Sequence, residues 1–227
     1  MRNILVIGSN GLVGRGVTEF FKNINDVSLT DIDISDNFNL SHKDTIKDFF
    51  ISNPNINYII NCSGINDHVE DSDSRINNET DLMHIDKFLD INVKSVCWII
   101  EYGHKHLKNL EGVVNFASLY GVRSPYHPIY ESPKSLSYTI SKHALEGITR
   151  YYSSFYGKDS LRINAIRIGG INADQPEKFK SWFTSRTPLG RMAELDDLFG
   201  AIDLLCSKKG SYITGQNISI DGGYTTW

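Results

Sequence analysis

Short apolar runs with no polar alternation recur along the chain, and stretches with helical apolar spacing separate them. Ile4-Leu5-Val6-Ile7 is the first run. A continuous apolar run of this length is the mark of a strand buried on both faces of a parallel sheet. Val27–Thr30, Asn57–Asn61, Gly112–Ser118 and Leu161–Ile166 repeat it, and a last strand with a glycine turn falls within Ile213–Gly223. Helices are predicted over Leu12–Phe21, Lys43–Ile51, Phe88–Tyr102, the segment from Ser137 to Tyr152, Phe179–Ser185 and Asp196–Cys206. Strands alternating with helices throughout predict an α/β fold, a doubly wound parallel sheet in a single domain over residues 1–227.

Composition narrows the class. A chain of 227 residues can bury a sizeable core as one unit. The net charge of -4 leaves no basic footprint, which argues against nucleic acid as a partner. Cys62, Cys97 and Cys206 are odd in number, far apart and not in metal-ligand spacing. They read as reduced, mostly buried residues of a cytoplasmic protein, and no metal is expected. No apolar run approaches the roughly 20 residues of a membrane helix. The first residues run straight into the short Ile4–Ile7 segment, too short for the apolar part of a signal peptide. Asn66 to Asp86 is the most polar stretch and reads as a solvated excursion.

Candidate chemistry begins at the first turn. Strand, Gly8-Ser9-Asn10-Gly11-Leu12-Val13-Gly14, then helix is the context in which glycines let the backbone approach a pyrophosphate at a helix N-terminus. A tight βα turn with no ligand is the alternative. Asp31 closes the second run about 20 residues further on, where a carboxylate would accept hydrogen bonds from the adenosine ribose and repel a 2′-phosphate. That favours NAD over NADP. Asp33 is the fallback, and a capping role for Asp31 stays open. Asn61-Cys62-Ser63-Gly64 ends another run at the ligand-binding edge of the sheet. Asn92, inside an apolar helix, needs a partner for its amide. Ser118 falls at a strand tip.

Tyr138 and Lys142 stand four apart in a helical segment, so a phenol and an ammonium share one face. A nearby cation lowers a phenol's pKa from about 10, which makes the pair a candidate proton-transfer device; a surface tyrosine and a solvated lysine are the alternative.

With these residues in this order, and with Tyr212-Ile213-Thr214-Gly215-Gln216 and Asp221-Gly222-Gly223-Tyr224 at the end, the chain resembles the compact, single-domain short-chain dehydrogenase/reductases, with a Rossmann-type fold, over essentially its whole length. The resemblance implies Tyr138 as catalytic acid/base, Lys142 as its partner and a ligand of the nicotinamide ribose, and Ser118 as a donor to the reacting oxygen. It implies that Asn92 holds a water linking Lys142 to solvent. It implies a cofactor site built from Gly8, Asn10, Gly11, Leu12, Val13, Gly14, Asp31, Asn61, Ser63, Gly64, Gly169 and Ile171, with Tyr138 and Lys142. The chain also departs from the family pattern. The glycine spacing is that of the larger sugar-nucleotide branch, Asn39-Leu40-Ser41 replaces an Asp-led adenine-side motif, and Ile168-Gly169 and Ala173 stand where Pro-Gly and Thr are usual.

The interval from Ser118 to Tyr138 is long, and its insert Arg123–Glu131 is similar to family members of flagellin modification and surface-glycan biosynthesis. That implies a sugar or sugar-phosphate substrate, met by Ser118, Tyr120, His127, Tyr130 and Tyr138, with Tyr126 and Glu131 nearby. An insert that packs on another subunit is the alternative. Family members form dimers or tetramers through the helices carrying Asn92 and Tyr138, so a homodimer or homotetramer is expected, with Trp227 against a neighbour. Two other functions are weighed: a non-catalytic NAD(H) sensor, which would usually have lost Tyr138 or Lys142, and a nucleotide-sugar epimerase or dehydratase, which generally carries an added C-terminal domain after the last strand.

Overall fold

The computed structural model describes residues 1–66, 85–130 and 133–227. Most of the Asn66–Asp86 excursion and Glu131 of the insert lie outside them. Among the described residues there are six strands, β1 Arg2–Ile7, β2 Val27–Ile32, β3 Tyr58–Asn61, β4 Gly112–Ser118, β5 Arg162–Ile168 and β6 Asn217–Ile220. All pair in parallel in the order β2-β1-β3-β4-β5-β6.

Helices cover both faces because alternate residues of the central strands are apolar on both sides. Leu5, Ile59, Val113 and Ile163 meet α2 (Lys43–Ser52), α4 (Ser95–His106) and α5 (Leu136–Tyr156). Ile4, Val6, Ile60, Val114 and Ile166 meet α1 (Leu12–Lys22) and α7 (Asp196–Leu205). A third cluster sits beyond the strand tips, where α3 (Ile85–Leu89) and α6 (Glu177–Arg186) contribute Phe88, Phe179 and Phe183 around Tyr120 and Tyr138. No described helix is long and apolar enough to cross a membrane.

The chain moves from β1 outward to β2 and then returns to place β3 on the other side of β1. This reversal opens a crevice at the C-terminal ends of β1 and β3, the place where open α/β sheets bind ligands.

Three predicted elements are redrawn. β2 runs two residues past Thr30, to Ile32, because its parallel register with β1 continues to Ile7. Phe88–Tyr102 is not one helix: α3 ends at Leu89, a π-helical stretch spans Asp90–Lys94, and α4 follows. Asn92 lies inside that stretch and is buried. Last, Ile213–Gln216 is a turn rather than part of β6. Gly215 adopts φ +71°, a left-handed conformation that breaks an extended strand, and its N–H donates to the Ile163 carbonyl at 2.8 Å.

Candidate active site

The glycine loop is shaped by close backbone contacts. Gly8 takes φ +79°, and a Cβ there would stand 2.7 Å from the Ser63 nitrogen. A Cβ on Gly14 would stand 2.0 Å from the Gly8 carbonyl oxygen, so only glycine lets α1 pack on the end of β1. Gly11 differs. Its φ is -71° and a Cβ would meet nothing nearer than 3.5 Å. Packing within the chain does not require Gly11 to lack a side chain, whereas an approaching ligand would. The first turn of α1 carries no acidic residue, which leaves its N–H groups and positive dipole end available to an anion.

A cavity of about 360 Å³ opens beside this loop. Gly8, Asn10, Gly11, Asp33, Ser63 and Gly64 are among its lining, with Asn39 and Leu40. Asp31 is not part of it. That residue lies within β2, exposed on the edge strand. Because β2 continues to Ile32, the carboxylate at its end is Asp33, which accepts the Asn10 N–H at 3.0 Å. Leu12 is 43% exposed at the loop, while Val13 packs toward the α1 core.

Strand β4 and helix α5 form the chemical centre together. Ser118 ends β4, and Tyr138 stands beside it on α5. Two residues back on the strand, the Phe116 carbonyl accepts from Lys142 Nζ at 2.8 Å. Two strand residues rise about 6.6 Å and four helical residues rise about 6 Å. The Tyr138/Lys142 spacing therefore matches the Ser118/Phe116 spacing across the interface. Lys142 Nζ lies 5.6 Å from the centre of the Tyr138 ring. One turn further, Glu146 makes a bidentate pair with Arg167 of β5 at 2.8 and 3.0 Å, which fixes α5 against the sheet.

Burial decides the electrostatics here. It raises the Tyr138 phenol above its ordinary value, and the Ser118 hydrogen bond opposes it. It lowers the Lys142 ammonium to about 8. Desolvation of the phenol is thus the cause that sets the direction of the Tyr138 shift.

Asn92 resolves its buried amide fully on protein groups. Its Oδ1 accepts from the Ile65 N–H at 2.8 Å, and its Nδ2 donates to the Ile65 carbonyl at 2.9 Å and to Ser141 Oγ at 3.0 Å. Ser141 Oγ in turn donates to the Tyr138 carbonyl at 2.8 Å. The side chain thus ties the segment following Gly64 to α5.

A family profile described as enoyl-(acyl carrier protein) reductase, of the short-chain alcohol dehydrogenase type, matches residues 11–225. The chain belongs to the short-chain dehydrogenase/reductase family. A 3alpha-hydroxysteroid dehydrogenase of Mediterraneibacter gnavus is 31% identical over 60% of this chain and 54% of its own. A galactitol 2-dehydrogenase (L-tagatose-forming) of Cereibacter sphaeroides is 30% identical over 66% of this chain and 60% of its own. The chain thus spans between half and two thirds of these relatives' lengths. A short-chain dehydrogenase from Leptospira borgpetersenii with bound NAD+ superposes with a TM-score of 0.81 at 26% identity, covering 99% of this chain and 92% of that one.

Other predicted residues of this short-chain dehydrogenase/reductase fall in different places. Asn61 is buried, its Oδ1 accepting from the Ser63 N–H at 3.2 Å, so it shapes the turn that borders the cavity. Gly169 is needed by packing, since a Cβ would stand 2.8 Å from the Asp221 Cα. Ile171 bridges to Ala193 and is buried in the core. Gly169 lines a separate cavity of about 410 Å³ whose walls include none of Ser118, Tyr138 and Lys142. Tyr120 and Tyr130 share a hydroxyl–hydroxyl hydrogen bond next to Tyr138. Burial raises the pKa of both phenols, Tyr130 to about 12. His127 is exposed, and its Nδ1 accepts from the Lys134 N–H at 3.2 Å, which makes it a loop-positioning residue rather than a second acid/base. From the insert, Tyr126 stacks on Trp182 of α6 at 5.0 Å, and Arg186 lies over both rings.

The reading of the sequence missed Lys134. It is buried, and its Nζ lies 4.7 Å from the centre of the Tyr138 ring. Its one signal was its place, four residues before Tyr138 and one before a serine able to cap the helix.

Proposed function

We propose that the protein is a nicotinamide-dependent oxidoreductase that interconverts a secondary alcohol and a ketone on a small polyhydroxylated substrate, with NAD(H) preferred over NADP(H). The observation that carries this reading is the pairing of Ser118 and Phe116 of β4 with Tyr138 and Lys142 of α5.

The cavity beside the glycine loop fits the adenosine half of the cofactor. Gly11 and the N-terminus of α1 would meet the pyrophosphate, and Asp33 the adenosine ribose. Lys142, near Gly64, would reach the second ribose. A nicotinamide held there would supply or accept the hydride. The chain's own residues manage the proton. Tyr138 keeps its proton in the buried resting state and donates it to the carbonyl oxygen as that oxygen becomes an alkoxide; in oxidation it takes the alcohol's proton. Ser118 Oγ accepts the Tyr120 N–H at 3.2 Å, which leaves the Ser118 O–H to donate to the developing charge. Lys142 restores the proton to Tyr138, with a water on the main chain of the π-helical stretch around Asn92 completing the path to solvent.

The likeness of the insert to surface-glycan enzymes and the polyol-oxidising relative favour a carbohydrate-like substrate, with Tyr120 and Tyr130 as its hydroxyl partners. Tyr151 and Phe155, 62% and 61% exposed and stacked on α5, support a homodimer or homotetramer through that helix. The test is turnover of a panel of polyols and sugar acids with NAD+ and NADP+, followed by absorbance of the reduced cofactor. Turnover that vanishes in Tyr138→Phe supports the reading, and turnover that survives it refutes it.

A further inference from the structure

One buried hydroxyl beside Tyr138 and Lys142 has no part in the chemistry described above. Ser141, between them on α5, is 0% exposed. Alanine would occupy nearly the same volume there and is the better helix former. A hydroxyl taken out of water also costs free energy unless it is paired. Ser141 Oγ is paired twice. It donates its single proton to the Tyr138 carbonyl at 2.8 Å and accepts from Asn92 Nδ2 at 3.0 Å. The first of these bonds is ordinary for a helical serine, and Ser153 Oγ makes the same bond to the Arg150 carbonyl at 2.8 Å further along α5. What Ser141 adds is the bond from Asn92.

Asn92 leads on to the cofactor cavity. Its Oδ1 and Nδ2 hold the N–H and carbonyl of Ile65 at 2.8 and 2.9 Å. Gly64 and Ile65 both belong to the wall of the cavity beside the glycine loop. A Cβ on Gly64 would stand 3.3 Å from Asn92 Oδ1 and 3.8 Å from Lys142 Nζ, so wall, amide and ammonium are closely packed. An unbroken run of hydrogen bonds therefore joins the cavity wall, through Asn92 and Ser141, to the main chain of Tyr138. Without the Ser141 hydroxyl the run stops at Asn92, and one N–H of that amide loses its acceptor.

We propose that Ser141 is a positioning residue that transmits the state of the cofactor-cavity wall to Tyr138, an inference that deepens, and rests on, the nicotinamide-dependent reading. A cofactor in the cavity steadies the Gly64–Ile65 wall. Asn92 moves with that wall, and Ser141 holds the first turns of α5 to Asn92. The acid/base phenol is thereby fixed when the cofactor is in place.

Amide hydrogen exchange on the full chain, with and without saturating NADH, tests this, because it reads local opening segment by segment. NADH is expected to slow exchange in wild type both at the glycine loop, residues 8–14, and at residues 138–142 of α5. In Ser141→Ala the slowing at the glycine loop should remain, while that at 138–142 shrinks by about fivefold or more. Ser153→Ala removes a like back-bond from the same helix and should keep both. A merely structural role for Ser141 would speed exchange in α5 equally with and without NADH. Should the alanine variant fail to fold, the same comparison is read from Ser141→Cys, whose thiol is a weak donor and acceptor. No slowing at the glycine loop of wild type overturns the cofactor reading and this proposal with it. Slowing at the loop but not at 138–142 in wild type overturns the proposal alone. So does slowing at 138–142 that survives the loss of the Ser141 hydroxyl, that is lost equally in Ser153→Ala, or that is masked by an NADH-independent rise in α5 exchange.

Discussion

Asp33 accepts the backbone N–H of Asn10 at 3.0 Å, so the residue after β2 is tied to the loop after β1. Asn10 Nδ2 also donates to Ser35 Oγ at 2.8 Å, and the Asp33 N–H donates to Asp36 at 2.8 Å. A carboxylate held this firmly at the rim of the cavity is pre-organised to receive two ribose hydroxyls and to repel a 2′-phosphate. Asp33→Ala is expected to weaken NADH binding by about tenfold, the equivalent of one charge-assisted hydrogen bond, and to leave NADPH binding less affected. Asp31→Ala, on the exposed edge of β2, should change neither. Fluorescence titration of the two variants separates the positions; the reverse pattern would return the ribose to Asp31.

The three loop glycines should divide by what opposes a side chain. Gly14→Ala sets a methyl 2.0 Å from the Gly8 carbonyl oxygen and forces the backbone apart. It should cost about 3 kcal/mol or more of stability. Gly11→Ala meets only ordinary contact and has a φ that alanine accepts. Its melting temperature without cofactor should stay within about 3 °C of wild type, while NADH binding is strongly reduced. Thermal denaturation with and without NADH reads both effects. A Gly11→Ala protein that binds NADH normally would show that no ligand lies against this loop.

Lys142 is held against its electrostatic interest. Burial lowers its pKa from 10.5 to about 8, a difference on the order of 3 kcal/mol. Between about pH 8 and 10.5 the unfolded chain binds a proton that the folded chain does not, so wild-type stability rises with pH across that window and is flat in this respect below it. Lys142→Met removes the buried charge. It is expected to melt several degrees higher than wild type at pH 7, to be inactive, and to lose its advantage progressively from pH 8 to 10.5. Calorimetric scans at pH 7, 9 and 10.5 check the sign. A variant less stable than wild type at pH 7 would mean that the Phe116 hydrogen bond outweighs desolvation.

Tyr138→Phe removes the proton donor and leaves the ring between Phe88 and Lys134. Turnover should fall by about 10²- to 10⁴-fold, the usual contribution of a positioned acid/base. Cofactor affinity should stay within a factor of about three, since no part of the glycine loop is touched. Steady-state kinetics beside NADH titration distinguishes this from a folding defect, which would lower both.

The sheet was legible in the sequence because every central strand is apolar on both faces, and Gly112–Ser118 matches β4 residue for residue. Tyr138, Lys142 and Ser118 were legible because helix and strand periodicities fix their placement. Asp31 was misplaced for a simple reason. Val27–Thr30 looks complete in apolar terms, but β2 is an edge strand whose polar residues still pair with β1, which carries the end two residues on. Asn92 was flagged as a buried amide needing a partner; the partner, the Ile65 main chain, comes from a distant segment that no local pattern announces. Lys134 lies between the insert and α5, where no periodicity marks it, and its contacts to His127 and Asn66 come from other segments.

The most direct test of the account is a calorimetric titration of NADH and NADPH into the wild-type protein. The account predicts saturable NADH binding, one site per chain, with NADPH at least tenfold weaker. Binding of neither, with the protein folded, would contradict it, because the glycine loop, Asp33 and Lys142 would then have no ligand in common.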